Sequence, residues 1–160
     1  MVVPQLSEQQ AMHYIPVSRL ALSDELKQRL TGYLDERRLL TTQLEVRSAG
    51  YKRVRAVVGA IAKPGADEQR LQRDIIAALE LFINPLRGGP DGTGWPFGRE
   101  LCFSDLYACI QTVPGLQYVQ TIDMYWVDEG DVLHKAERKL DLLAHEVIVS
   151  DLHEVKISLE

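Results

Sequence analysis

Residues 84–103 read NPLRGGPDGTGWPFGRELCF. Glycine recurs at Gly88, Gly89, Gly92, Gly94 and Gly98, with Pro85, Pro90 and Pro96 set between them. Glycine reaches positive φ without steric cost and proline pre-sets φ for turns, so this backbone must bend repeatedly. A floppy linker would carry serine, glycine and charge. This stretch carries Trp95, Phe97, Leu101 and Phe103, which need burial or a partner. Loops this long inside a compact domain are functional or disordered, and the aromatics argue against disorder. It is a shaped, packed loop joining two halves of the chain. Leu101 and Phe103 tie its end to the core. Phe97 is therefore expected inside, with Trp95 at the rim in reach of a neighbour.

Upstream of the loop, Asp67 caps a regular helix with Leu71, Ile75, Ala78, Leu79 and Phe82 on one face, ended by Pro85. Before it, Thr41–Arg47 alternates polar and apolar residues, with Leu44 and Val46 inward. Ser48-Ala49-Gly50 supplies a turn, and Tyr51–Ala62 is a longer strand. The short connection predicts a β-hairpin. Apolar residues on both faces of the second strand place it well inside the sheet. Further back, Ser23 caps an amphipathic helix reaching about Arg38, with Asp24 and Glu25 at the favourable end of its dipole. Residues 1–21 read as a strand remnant at Val2-Val3 followed by an extended segment.

Downstream, Ser104 is read as the cap of a short helix lined by Leu106, Cys109, Ile110 and Val113. Pro114-Gly115 then turns the chain into a strand, Leu116–Val127, with Tyr118, Ile122, Met124 and Trp126 on one side. Asp128–Lys139 is a charged, protruding hairpin or loop, and His145–Val149 a short strand. Glu154–Glu160 alternates, with Val155, Ile157 and Leu159 inward, as an antiparallel strand near a sheet edge that a neighbour's strand could extend. The expected fold is α+β: a mostly antiparallel sheet covered by two main helices and a short third. Residues 22–160 form this domain, and the loop is compatible with two lobes, 22–85 and 100–160.

A net charge of −5 gives no electrostatic footprint for nucleic acid. The basic runs Lys52–Arg53–Arg55 and Arg37–Arg38 read as solvated faces or partner contacts. No apolar run reaches the ~18 residues of a membrane span, and no signal-peptide pattern is present. Cys102 and Cys109 lack CxxC spacing and read as buried, reduced thiols.

Tests for chemistry return little. There is no GxSxG elbow. Among His13, His134, His145 and His153, no pair has HxxxH spacing. In strands His145-Glu146 and His153-Glu154 would diverge, as exposed strand-end residues. Gly88–Gly94 follows a helix and lacks the GK[ST] ending of a phosphate loop, and its one carboxylate, Asp91, is too few oxygens for calcium. Asp35 and Glu36 sit at a helix end, on a solvated face. The chain is accordingly read as a non-enzyme without cofactor, catalytic residue or metal.

Four segments carry a resemblance: YLDERRLLTT (Tyr33–Thr42), GGPDGTGWPFGR (Gly88–Arg99), VPGLQYV (Val113–Val119) and HEV (His153–Val155). In this order they resemble the C-terminal region of the baseplate assembly proteins of phage tail-like contractile injection systems, the baseplate J-like wedge family. Gly88, Gly89, Asp91, Gly92, Gly94, Trp95, Pro96, Phe97, Gly98 and Arg99 carry its specific part. The resemblance implies a structural subunit partnered by other wedge and hub proteins, not nucleic acid or membrane. It also implies assembly in the bacterial cytoplasm into a particle that can be released, and a longer parent chain. Trp95, Glu154 and Lys156 are the interface candidates. The other reading is a small-ligand-binding or regulatory α+β module using the glycine-rich loop.

Overall fold

A computed structural model describes residues 16–39 and 41–159. The strand tail expected at Val2-Val3, and His13, lie outside the described residues. Four helices and seven strands follow in order: α1 (Val17–Leu20), α2 (Asp24–Asp35), β1 (Gly50–Ala62), α3 (Glu68–Phe82), β2 (Leu101–Cys102), α4 (Phe103–Gln111), β3 (Leu116–Val127), β4 (Leu133–Ala136), β5 (Lys139–Leu140), β6 (Glu146–Ser150) and β7 (Glu154–Ser158). The fold is α+β with a mostly antiparallel sheet, as expected. The main sheet runs β4-β3-β1-β6, with β7 also paired to β1, and β2 pairs with β5 in a small second sheet.

The long strand β1 is the centre. Val54, Ala56, Val58 and Ala60 alternate onto one face and are fully buried there. Over them lie Leu71, Ile75 and Leu79 of α3 and Leu106 and Ile110 of α4, all within one core. Both halves of the chain feed this core. On one edge β1 pairs antiparallel with β3, from Arg53 opposite Val127 to Ala62 opposite Leu116. On the other edge it pairs in parallel with β6 and then β7. The expected hairpin between Thr41–Arg47 and Tyr51–Ala62 does not form: from Arg53 onward β3 holds one edge of β1, and β6 and β7 hold the other. The expectation that the last strand is antiparallel is likewise corrected: β7 runs with β1, its Leu159 end exposed.

Other corrections are local. The register of β3 shifts between Gly59 and Ala60, where Thr121 and Val119 are the successive partners. The extra residue flips the phase, so Val119 replaces Tyr118 on the face of Ile122 and Met124. Tyr118 is consequently 43% exposed. Helix α4 starts at Phe103, and its N-cap is Cys102 in place of Ser104. The Asp105 carboxylate accepts the Cys102 N–H at 3.0 Å and completes the cap. The segment before α2 is not wholly extended: α1 is a helical turn whose Leu20 packs on Val149. Helix α2 has the expected Ser23 cap but buries no residue, so among the described helices α3 and α4 cover the sheet. Cys102 and Cys109 are free and only half-buried.

The glycine-rich loop is held by its own backbone. Buried Asn84 accepts from Leu86 N–H and Arg87 N–H through Oδ1, at 2.8 and 3.1 Å. Its carbonyl accepts from Gly88 and Trp95, both at 3.0 Å. A Cβ on Gly88 would fall 2.3 Å from the Phe82 carbonyl oxygen, and one on Gly94, at φ 107°, would fall 2.5 Å from that of Pro85. No other residue fits either place. This winding carries Trp95 into the core at 2% exposure, edge-on to Phe82 with centroids 5.5 Å apart. The indole N–H donates to the Arg99 carbonyl at 3.0 Å. Phe97 is only partly buried. The expected order is thus reversed, because Gly94 turns Trp95 inward before Pro96 redirects the chain.

Trp95→Ala should therefore destabilise the chain by about 3–5 kcal/mol. At roughly 2–4 °C per kcal/mol that lowers the melting temperature by roughly 6–20 °C. Phe97→Ala should cost clearly less. Thermal unfolding of the two variants checks the order, and equal or inverted losses would contradict this placement.

Candidate functional site

One edge of β1 carries an interrupted strand. Val54 pairs with Ser150 at the end of β6, and Val57 with Glu154 at the start of β7. The β6–β7 side therefore has one residue more than β1 across this step. The surplus is absorbed by Asp151-Leu152-His153, and a side chain replaces the missing backbone partner. His153 Nδ1 accepts the Ala56 N–H at 3.0 Å, while the Asp151 N–H donates to the Val54 carbonyl at 2.8 Å. A buried backbone N–H without a partner is costly, and the imidazole satisfies this one.

His153 Nε2 lies 2.8 Å from Ser150 Oγ, which at first sight resembles a base beside a nucleophile. The tautomer rules that pairing out. Nδ1 receives a hydrogen bond, so in the neutral ring the proton sits on Nε2 and is donated to Ser150. The serine hydroxyl in turn donates to the Asp151 carbonyl at 3.3 Å. A general base needs a lone pair facing the hydroxyl, and this ring presents a proton. Ser150 and His153 are also enclosed, at 5% and 9% exposure. The expectation of an exposed strand-end His153 is thereby corrected, while His145 is exposed as expected. Burial pushes the His153 pKa down to about 4, with Asp151 opposing the shift and Arg55 adding to it. Buried Asp151 pairs with Arg55 at 3.2 Å.

Around this splice the polar groups are mostly committed to each other. Lys52 meets Glu146 at 3.5 Å and Arg53 meets Asp131 at 2.7 Å, so the basic run of β1 is matched by acid. Arg37 and Arg38 pair with Glu36 and Asp35. His134 stacks on Trp126 with centroids 4.1 Å apart and bonds Asp128 at 2.9 Å, which holds that carboxyl below its ordinary range. Trp126, Lys52 and Tyr51 line an open cleft of about 810 Å³ at the start of β1. Cys109, whose thiol burial raises to about 11, bonds the Ala78 carbonyl. Among the described residues, no group of three or more His, Cys, Asp or Glu is placed to hold a metal. No described helix is long and apolar enough to cross a membrane.

The loop residues divide by this geometry. Gly88, Gly89, Gly94 and Gly98 pack against the chain's own backbone, whereas Asp91, Gly92, Pro96 and Arg99 are exposed. Arg99 lies over the Trp95 ring, 5.6 Å from its centroid. Trp95 is enclosed, so its assignment as a contact residue is withdrawn. Glu154 and Lys156 are exposed on β7, which among the described residues pairs with β1 alone. A second cleft, of about 500 Å³, runs between Glu68, Gln69 and Gln72 of α3 and Val155–Ser158. An accessible sheet edge beside a helix suits an added strand. In the sequence His153 is marked only by its place in the HEV segment, between two strand-patterned stretches, and nothing there foretells its burial or its bond to Ala56. No protein-family model matches the chain, and no curated protein matches it in sequence.

The neutral imidazole makes stability depend on pH. The unfolded chain takes up the proton near pH 6.5, the folded chain only near 4, so stability is full above 6.5 and falls as pH drops toward 4. The loss should approach about 3 kcal/mol. His153→Asn keeps an acceptor for Ala56 and should flatten the curve in this window. Urea unfolding across pH 4–7.5 checks this, and parallel curves for parent and variant would refute it.

Proposed function

We propose that the chain is a structural subunit of the baseplate of a contractile, phage tail-like injection particle, assembled in the bacterial cytoplasm through contacts with other wedge and hub subunits. The reading rests on the Gly88–Arg99 motif and its companion segments. The observation that carries it furthest is the way the loop is built. Gly88, Gly89, Gly94 and Gly98 of the motif are consumed by close backbone contacts, and the winding sets Trp95 in the core. A motif with such contacts is a scaffold, one that fixes α3 against α4 and β6, where Gly98 N–H donates to the Glu146 carbonyl at 2.9 Å.

Assembly through protein contacts also accords with what the chain presents outward. Helix α2 is amphipathic, yet Leu26, Tyr33 and Leu34 stand 36%, 58% and 38% exposed. The β7 edge offers main-chain groups. The competing ligand-module reading draws less from the geometry, because the space left by Gly88 and Gly94 is filled by the carbonyls of Phe82 and Pro85.

Co-expression with sheath, tube and baseplate proteins of one contractile particle tests this proposal. The chain, or the longer protein that bears it, should co-sediment with particles and be needed for baseplate closure. Complete particles formed without it would contradict the proposal, as would a melting point raised by a metabolite through the loop.

A further inference from the structure

We infer that Thr41–Arg47 is an exchanged strand that adds to the β7 edge of a second copy of this chain, antiparallel, with Val46 opposite Val155. The inference concerns like copies and stands or falls apart from the baseplate proposal.

The donor has strand chemistry and no strand partner among the described residues. Leu44 and Val46 are half-buried, while Gln43, Glu45 and Arg47 are exposed. Glu45 and Arg47 pair with each other, which places both side chains on one side of an extended backbone.

The acceptor can be read group by group. The Val54 carbonyl and Ala56 N–H are bonded toward Asp151 and His153, so even-numbered residues of β1 point at this edge. Val58 pairs with Val155 and Ala60 with Ile157. A parallel ladder of this parity bonds β1 through the backbone of Glu154, Lys156 and Ser158. The N–H and C=O groups of Val155 and Ile157 consequently face outward. Gln72 Nε2 donates to the Val155 carbonyl at 2.7 Å, as that direction requires, and the oxygen keeps a second lone pair. The side chain of Val155 lies on the α3 face, and those of Glu154 and Lys156 on the open face.

One register satisfies both faces. With Val46 opposite Val155, Leu44 meets Ile157 beside the α3 cleft. On the open face Arg47 meets Glu154 and Glu45 meets Lys156. A two-residue slip one way sets Arg47 against Lys156, and the other way Glu45 against Glu154. Like charges directly opposite are destabilising. A one-residue slip would turn Leu44 and Val46 to the open face. A parallel arrangement with Leu44 opposite Val155 keeps only one of the two charge pairs.

The donor cannot serve its own edge in this register. Arg47 would lie level with Val57, the partner of Glu154. Gly50, where β1 begins, is about 23 Å back along the strand at roughly 3.3 Å per residue. Three residue steps from Arg47 to Gly50 span at most about 11 Å. The strand must come from another molecule, and the charge pattern of this chain is its own complement.

Sedimentation of the full chain over a concentration series at low salt tests the pairing. The parent should self-associate. Glu45→Lys and Lys156→Glu should each weaken association by roughly tenfold, and the double variant should recover most of it. All four residues of the two charge pairs are exposed, so the variants should melt like the parent. Hydrogen exchange gives a second readout: the Val155 and Ile157 amides should slow in the associated parent and not in either single variant. A parent that stays monomeric, a double variant weaker than both singles, or unprotected Val155 and Ile157 amides in the associated form would each overturn the inference.

Discussion

The hydrogen bond from the Ala56 N–H to His153 Nδ1 is the constraint on which this fold turns. It allows one edge of β1 to be occupied along nearly its whole length by two short strands that are out of step by a residue. With β3 on the other edge from Arg53 to Ala62, most of the central strand is paired on both sides. Three consequences follow. The core face of Val54, Ala56, Val58 and Ala60 is closed in by sheet on both sides. The segment before β1 is displaced from the sheet. A titratable ring is locked in one tautomer inside the protein, and the serine beside it is turned into an acceptor.

The glycine-rich loop does comparable work at the other layer. Asn84 gathers the backbone of the loop around its own side chain and carbonyl, and the close approaches at Gly88 and Gly94 deliver Trp95 to Phe82. The loop therefore rigidifies the connection between α3 and α4. What remains outward is an amphipathic helix, an unpaired strand-patterned segment and an open sheet edge. Those are features by which a protein meets other proteins, and they give the assembly proposal its structural support.

Much of the architecture was legible locally. Caps at Ser23 and Asp67 and the spacing of Leu71, Ile75 and Leu79 mark helices, and the two-faced apolar pattern of Tyr51–Ala62 marks the central strand. The misread features depend on distant partners or on a single residue of phase. Thr41–Arg47 has strand periodicity, but whether a strand pairs is decided by what else occupies the edge. Tyr118 falls on the opposite face from the one alternation predicts, because a bulge carries no pattern of its own. Trp95 and Phe97 take each other's expected places because two aromatics flanking a proline look alike in sequence, and the turn at Gly94 decides which goes inward. His153 was hidden for a different reason: replacing a backbone acceptor with an imidazole is a three-dimensional event with no spacing to betray it.

The most direct test of the account is the protonation state of the His153 ring, read by nitrogen NMR at neutral pH. The account predicts a bare Nδ1 with a measurable coupling across the hydrogen bond to the Ala56 amide, a proton on Nε2, and no titration until the pH approaches about 4. A proton on Nδ1, or a ring titrating near its ordinary value with no coupling to Ala56, would mean that the two strands are not spliced in this way.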